Sequence, residues 1–225
     1  MSKIPKGGPS AAAPLDSFLS IVRRLTSERK VIPVVTRSGQ RARGNFPTNK
    51  SFKRARFQSL VERDVLRVLE VSSRVTVLAT HPVVLALPNG DEIVHYTPDV
   101  QIQMSDEGAL LEAKGSFFLT QRESRDALRT RVTLLRKEGI RLVVLLESDV
   151  RTNQLQTELE ELLRLRPIVG RYRSTLDLRP WDPLGKSAAS ETLLRRWSAA
   201  QQECDALLER VMRRDPDDLI SSFVR

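Results

Sequence analysis

The chain alternates between two kinds of hydrophobic pattern. Residues 56–71, "RFQSLVERDVLRVLEV", place Phe57, Leu60, Val61, Leu66, Val68 and Leu69 along one stripe. That period of 3.6 predicts an amphipathic helix. Residues 74–88, "RVTVLATHPVVLALP", are dense in aliphatic and β-branched residues and predict one or two strands. The Asn89-Gly90 dipeptide is a hairpin turn signal, and "EIVHYT" continues as a strand beyond it. Residues 95–115, "HYTPDVQIQMSDEGALLEAKG", alternate apolar and polar positions and predict an antiparallel hairpin.

Next comes a helical stretch over 120–138, with Thr120 and Glu123 at capping-box spacing and Gly139 as its stop. The uninterrupted apolar run "IRLVVLLES" at 140–148 predicts a strand buried on both faces. Strand, helix and buried strand imply a right-handed βαβ crossover. A short amphipathic helix is expected near Leu15–Leu25, and residues 36–55 read as a basic loop. After residue 153 two helical stretches flank a Pro- and Gly-containing linker at 170–190. The expected architecture is α/β, a mixed β-sheet core flanked by helices. Its parts are a basic arm with a short helix (1–55), a core (56–152) and a helical C-terminal region (153–225).

Placing the hairpin turn at Ser105–Gly108 pairs Val100 with Ala113, Ile102 with Leu111 and Met104 with Ala109 on an apolar face. The opposite face then carries Asp99, Gln101, Gln103, Glu112 and Lys114, with Leu110 as its apolar member. Lys114 falls opposite Asp99, with Glu112 on the diagonal, within reach of a shared divalent cation. A solvent face bearing an ordinary cross-strand ion pair gives the same pattern, so spacing alone leaves both readings open. Pro98 marks the point where regular pairing is interrupted.

Charge changes the picture. Residues 1–56 carry thirteen Lys/Arg against Asp16 and Glu28, a net +11, while the remaining residues sum to −2 within a total of +9. A basic arm on a near-neutral body suits a polyanion such as DNA. Arg41, Arg43, Lys50, Lys53, Arg54 and Arg56 are candidate phosphate contacts. Arg122, Arg125, Arg129 and Arg136 share one side of the 120–138 helix, either a second phosphate-facing stripe or a solvated face. Cys204, the single cysteine, precludes a disulfide framework and reads as a small buried hydrophobe. His81 and His95 lack metal-ligand spacing, and core packing is the expected role of Trp181 and Trp197. The first fourteen residues lack the apolar core of a signal peptide, and no run is long enough to span a bilayer. These features give the expectation of a cytoplasmic protein.

Pro98-Asp99 followed by Glu112-Ala113-Lys114 resembles the PD-(D/E)xK nuclease signature. The ordered set "FQSLVERDVLRVLEV … VLATHPVVL … HYTPDVQI … LLEAKG … IRLVVLLESDVR", over roughly residues 40–152, more specifically resembles the TnsA-type endonuclease subunit of heteromeric transposases. The resemblance implies a restriction-endonuclease-like fold and catalytic residues at Glu62, Asp99, Glu112 and Lys114. Mg²⁺, with Mn²⁺ as a substitute, would be held by Asp99, Glu112, the Ala113 carbonyl and Glu62. By periodicity Asp64 competes with Glu62, and only the resemblance selects Glu62.

Relatives often carry Gln-Pro where this chain has His81-Pro82, and some carry glutamine where it has Glu112. The implied activity is cleavage of the 5′ strand at transposon ends in double-stranded DNA. A DDE-type transposase and a regulatory ATPase would be partners, in a nucleoid-associated setting. A restriction or repair nuclease on the same core, and a catalytically silent DNA-binding scaffold, are the alternatives.

Overall fold

A computed structural model describes residues 14–29, 31, 42–152, 154–165 and 191–223. Arg41, Trp181 and the whole 170–190 linker therefore lie outside the described residues. The helices are α1 (Leu15–Leu25), α2 (Leu60–Val71), α3 (Ser116–Thr120), α4 (Arg122–Lys137), α5 (Glu147–Val150), α6 (Leu155–Leu165), α7 (Glu191–Arg213) and α8 (Pro216–Ser221). The strands are β1 (Gly44–Phe46), β2 (Ala55–Phe57), β3 (Val77–Thr80), β4 (Leu85–Asn89), β5 (Glu92–Tyr96), β6 (Val100–Gln103), β7 (Gly108–Lys114) and β8 (Leu142–Leu146).

A four-stranded mixed sheet, ordered β3-β6-β7-β8, is antiparallel except for the β7–β8 pair. The β7–β8 connection runs through α3 and α4, the crossover expected from the sequence. β1–β2 and β4–β5 form separate two-stranded sheets. Helices cover both faces of the main sheet. On one, α2, α6 and α7 pack Val65, Leu69, Leu159 and Leu208 against Ile102, Leu111, Val143 and Leu145. On the other, α1, α4, α8 and the β4–β5 hairpin pack Phe18, Leu128, Leu135, Ile220 and Leu87 against Leu110, Leu142, Val144 and Leu146. Each fully buried Leu, Ile or Phe contributes about 1.5–3 kcal/mol. No described helix is long and apolar enough to cross a membrane.

Four local expectations change. The helix expected from residue 56 begins at Leu60, because the Ser59 side chain accepts from the Glu62 N–H and caps it. The stretch ahead of it, read as loop, pairs as β1–β2. Thr120 does not cap α4; its hydroxyl donates to the Phe117 carbonyl, and Gln121 occupies the cap position. At the far end Gly139 adopts φ +78°, and the Gly139 and Ile140 N–H groups bond back to Arg136 and Leu135, a Schellman stop.

The fourth change concerns the β6–β7 register. It pairs Val100 with Leu111 and Gln103 with Gly108, so the turn comprises residues 104–107 and every pairing shifts by two. α1 fixes this position: Leu15 N–H bonds to Asp106 O, and the Phe18 ring covers Gly108 so closely that a Cβ there would lie 2.1 Å from Cδ1. A shift of two preserves which residues share a face. Asp99 consequently lies level with Glu112, and Lys114 extends one step past it.

Lys50, a candidate DNA contact, is buried instead. Its ammonium donates to the Leu69 and Ser72 carbonyls at the C-terminal end of α2, where unpaired carbonyls and the helix dipole favour a cation. Lys50→Met removes a charge-assisted pair of hydrogen bonds and is expected to cost roughly 1.5–3 kcal/mol. At about 2–4 °C of Tm per kcal/mol, a melting curve followed by circular dichroism detects the loss.

Candidate active site

Three strand ends and one helix start meet around Asp99. Pro98 has no N–H to donate, and β6 begins only at Val100. At this break the Asp99 carboxylate replaces a backbone acceptor and takes the Ala113 N–H at 2.8 Å. The Asp99 carbonyl accepts the His81 N–H at 2.9 Å, which ties the end of β3 to the same point. In an extended strand the N–H and C=O of one residue leave on the same edge, so the Ala113 carbonyl also faces Asp99.

Glu112 on β7 is only 2% exposed. One of its oxygens accepts from the Tyr96 hydroxyl at 2.6 Å, and the other meets Lys114 Nζ at 2.7 Å and Arg131 at 3.4 Å. Arg131 also lies over the Tyr96 ring, 5.3 Å from its centroid. Lys114 Nζ reaches Asp99 Oδ2 at 3.9 Å and so stands between the two acids. Glu62, on the first turn of α2, accepts from the Gln58 N–H at 2.7 Å and the Ser59 hydroxyl at 3.1 Å. Asp64, its competitor in the sequence, is buried in a separate cluster with Arg63, Arg67 and Arg151.

The structure thus brings Glu62, Asp99, Glu112 and Lys114 into one neighbourhood, and it adds His81. Glu62, His81 and Asp99 each present a ligand atom within 4.8 Å of the other two. His81 Nε2 lies 3.6 Å from Glu62 Oε2. Its backbone sits at φ +45°, disfavoured by its own Cβ and by the following Pro82 ring. Glu112, expected to share an ion with Asp99, is instead committed to Tyr96, Lys114 and Arg131. The ligand-like group is Glu62–His81–Asp99.

Electrostatics matches this crowding. Burial, then the Glu112 and Glu62 charges, raise the Asp99 pKa well above its ordinary 3.8, against the opposing pull of Lys114 and the Ala113 N–H. Burial works against the Lys114 charge, but Glu112 and Asp99 outweigh it and raise its pKa. Burial and the Glu112 charge raise the Tyr96 phenol well above 10.0. Burial lowers the His81 pKa, and Glu62 and Glu112 only partly compensate.

His81, read from the sequence as lacking metal-ligand spacing, joins the group, and Tyr96 and Arg131 are residues the sequence did not point to. Arg131 left a signal: with Leu128, Val132 and Leu135 it occupies the apolar stripe of α4, and a lone cation there needs a buried partner. The arginines that were singled out face elsewhere. Arg125 donates to the Leu119 and Thr120 carbonyls. Arg129 meets Asp126 and Ser221, and Arg136 pairs with Asp215 and Asp217. Arg122 is 88% exposed beside Asp126. Arg125 is thus engaged with the protein's own carbonyls, while Arg122 and Arg129 stay at the surface beside Asp126.

A groove of about 890 Å³ opens beside His81. Arg43, Lys53, Arg54 and Arg56 line it and are exposed, together with Phe52; no acidic side chain lines it among the described residues.

Asp99 binds its proton more tightly in the fold than in the unfolded chain. Its contribution to stability is full below pH 3.8 and is lost as pH rises through the raised value. Asp99→Asn keeps an acceptor for the Ala113 N–H and removes the repulsion. Melting curves across pH 4–8 are expected to show the variant more stable near neutrality, by roughly 2–4 °C, with the gap closing toward acid. No family model and no curated protein matches the chain.

Proposed function

We propose that the chain is a metal-dependent DNA endonuclease. One observation carries this reading: two acids from adjacent strands, a helix-borne acid and a lysine converge at the edge of a basic groove. The donor set fits a divalent cation. Ligand atoms around such an ion at about 2.1 Å stand roughly 3–4.2 Å apart, so the observed 4.8 Å span closes with small side-chain rotations. Burial, with the Glu112 and Glu62 charges, raises the Asp99 pKa, and a bound cation would relieve the repulsive part.

Glu62, Asp99 and the Ala113 carbonyl are the residues to hold Mg²⁺ or Mn²⁺. Glu112 keeps the Lys114 ammonium in place and completes the acidic field. The ion, when bound, neutralises charge on a phosphodiester and acidifies a coordinated water. Lys114, on the same face, donates to a phosphate oxygen as negative charge develops there. Lys53, Arg54, Arg56 and Arg43 supply backbone affinity along the groove, with little sequence preference.

The TnsA-type assignment is supported by the order of motifs: Glu62 on a helix, Pro98-Asp99 at a strand start and Glu112-Ala113-Lys114 on the next strand. The mixed sheet, antiparallel through β3-β6-β7 and parallel at β8, suits a restriction-endonuclease-like core. Under this reading the protein cuts the 5′ strand at transposon ends beside a DDE-type transposase, under a regulatory ATPase, on nucleoid DNA.

A plasmid-nicking assay with Mg²⁺ or Mn²⁺ and the partner transposase tests it. Asp99→Ala and Lys114→Ala are expected to lower cleavage by about 10²–10³-fold while DNA binding persists, and a chelator abolishes cleavage. Unchanged cleavage in both variants overturns the site. Lys53→Ala and Arg56→Ala are expected to weaken DNA binding irrespective of sequence. Each is expected to reduce the slope of log K against log salt by about 0.9.

A further inference from the structure

The two-acid, one-lysine pattern calls for oxygen ligands alone, yet the side chains that converge most closely include an imidazole. His81 Nε2, a Glu62 oxygen and an Asp99 oxygen lie within 4.8 Å of one another. The three side chains are only 12–15% exposed, so water competes weakly for these atoms. Glu112 is neutralised by two cations, Lys114 and Arg131, whereas Glu62 accepts from the neutral Gln58 N–H and Ser59 hydroxyl and keeps its charge, so the third position near Asp99 falls to nitrogen. The His81 ring is held there against a backbone preference, at φ +45° ahead of Pro82, and the His81 backbone N–H is anchored on the Asp99 carbonyl.

We propose that Glu62, His81 and Asp99 form a mixed nitrogen–oxygen centre that selects a first-row transition ion, Mn²⁺ in preference to Mg²⁺. The proposal rests on the metal-dependent reading above and deepens it by naming the ion class. Mg²⁺ favours oxygen donors and gives up water reluctantly. Imidazole suits transition ions, and affinity climbs from Mn²⁺ through Co²⁺ to Ni²⁺. One inner-sphere nitrogen therefore separates ions that an all-oxygen site treats more evenly.

Isothermal titration of the full chain with Mn²⁺ alone and Mg²⁺ alone is the first measurement. Electron spin-echo spectroscopy of the Mn²⁺ complex, which reads nitrogen bound to the ion, is the second. Tighter binding of Mn²⁺ by about tenfold or more is expected, with a ¹⁴N coupling. His81→Gln offers an oxygen in place of nitrogen. It is expected to weaken Mn²⁺ binding about tenfold, to change Mg²⁺ binding by less than about threefold, and to abolish the coupling.

His81→Gly relieves the positive φ, so it guards against a folding defect. It is expected to melt no lower than the parent and to lose the coupling, which added imidazole restores. Mn²⁺ affinity unchanged in both variants, or a Mn²⁺ complex without nitrogen coupling, overturns the proposal and leaves the nuclease reading standing. Failure of both ions to bind the parent chain overturns both readings.

Discussion

Asp99 accepts the Ala113 N–H where the β6–β7 ladder would otherwise use a backbone carbonyl. Pro98 creates the opening, and a carboxylate fills it. That exchange links structure to chemistry. Asp99 is needed to finish the end of the β6–β7 ladder, and it also brings a negative charge to within reach of two more. Its carbonyl simultaneously holds His81 at the end of β3. One residue thereby joins β3, β6 and β7 where Glu62 arrives on the first turn of α2.

Burial gives this junction its electrical character. Had β7 been covered on one face only, water would screen Glu112, and its charge would matter little to Asp99. Instead α1, α4 and the β4–β5 hairpin close over the second face, and Glu112 is almost wholly enclosed. A buried carboxylate demands compensation. Tyr96, Lys114 and Arg131 supply it, each from a different element of the covering layer or the strand itself. Asp99 receives less: one backbone N–H and a lysine at 3.9 Å. The fold therefore leaves one acid under-compensated, and that acid is the one with Glu62 and His81 as neighbours.

How much of this was legible in the sequence depends on the range of the interaction. Alternation fixed which residues of 99–114 share a face, and the two-residue shift in register left that intact because strand periodicity is two. The unbroken apolar run of β8 announced burial on both sides, and Gly139 announced the end of α4. The register itself was decided by Phe18 lying over Gly108, a contact ninety residues apart in sequence that no local pattern encodes. Lys50 capping α2 and Tyr96 holding Glu112 are invisible for the same reason. His81 looked isolated because its partners come from α2 and β6 rather than from its own strand. Arg131 alone could have been suspected, as a cation in an apolar stripe.

The arrangement of charge also separates two demands that conflict. A phosphodiester is drawn in by cations, whereas a divalent ion is drawn in by acids left partly unneutralised. Cations paired directly with Asp99 and Glu62 would satisfy the acids and defeat the second demand. Instead, Lys53, Arg54 and Arg56 are exposed along the groove, and Gln58, Ser59 and His81 contact Glu62. Arg56 is anchored through its backbone, with its N–H on the Thr80 hydroxyl, one residue before His81. The groove is thus fastened beside the acids by a backbone-to-hydroxyl bond while Lys53, Arg54 and Arg56 stay exposed at the surface. Under the nuclease reading proposed above, a cationic wall tied beside an acidic centre would hold a phosphate backbone and a metal ion at adjacent points.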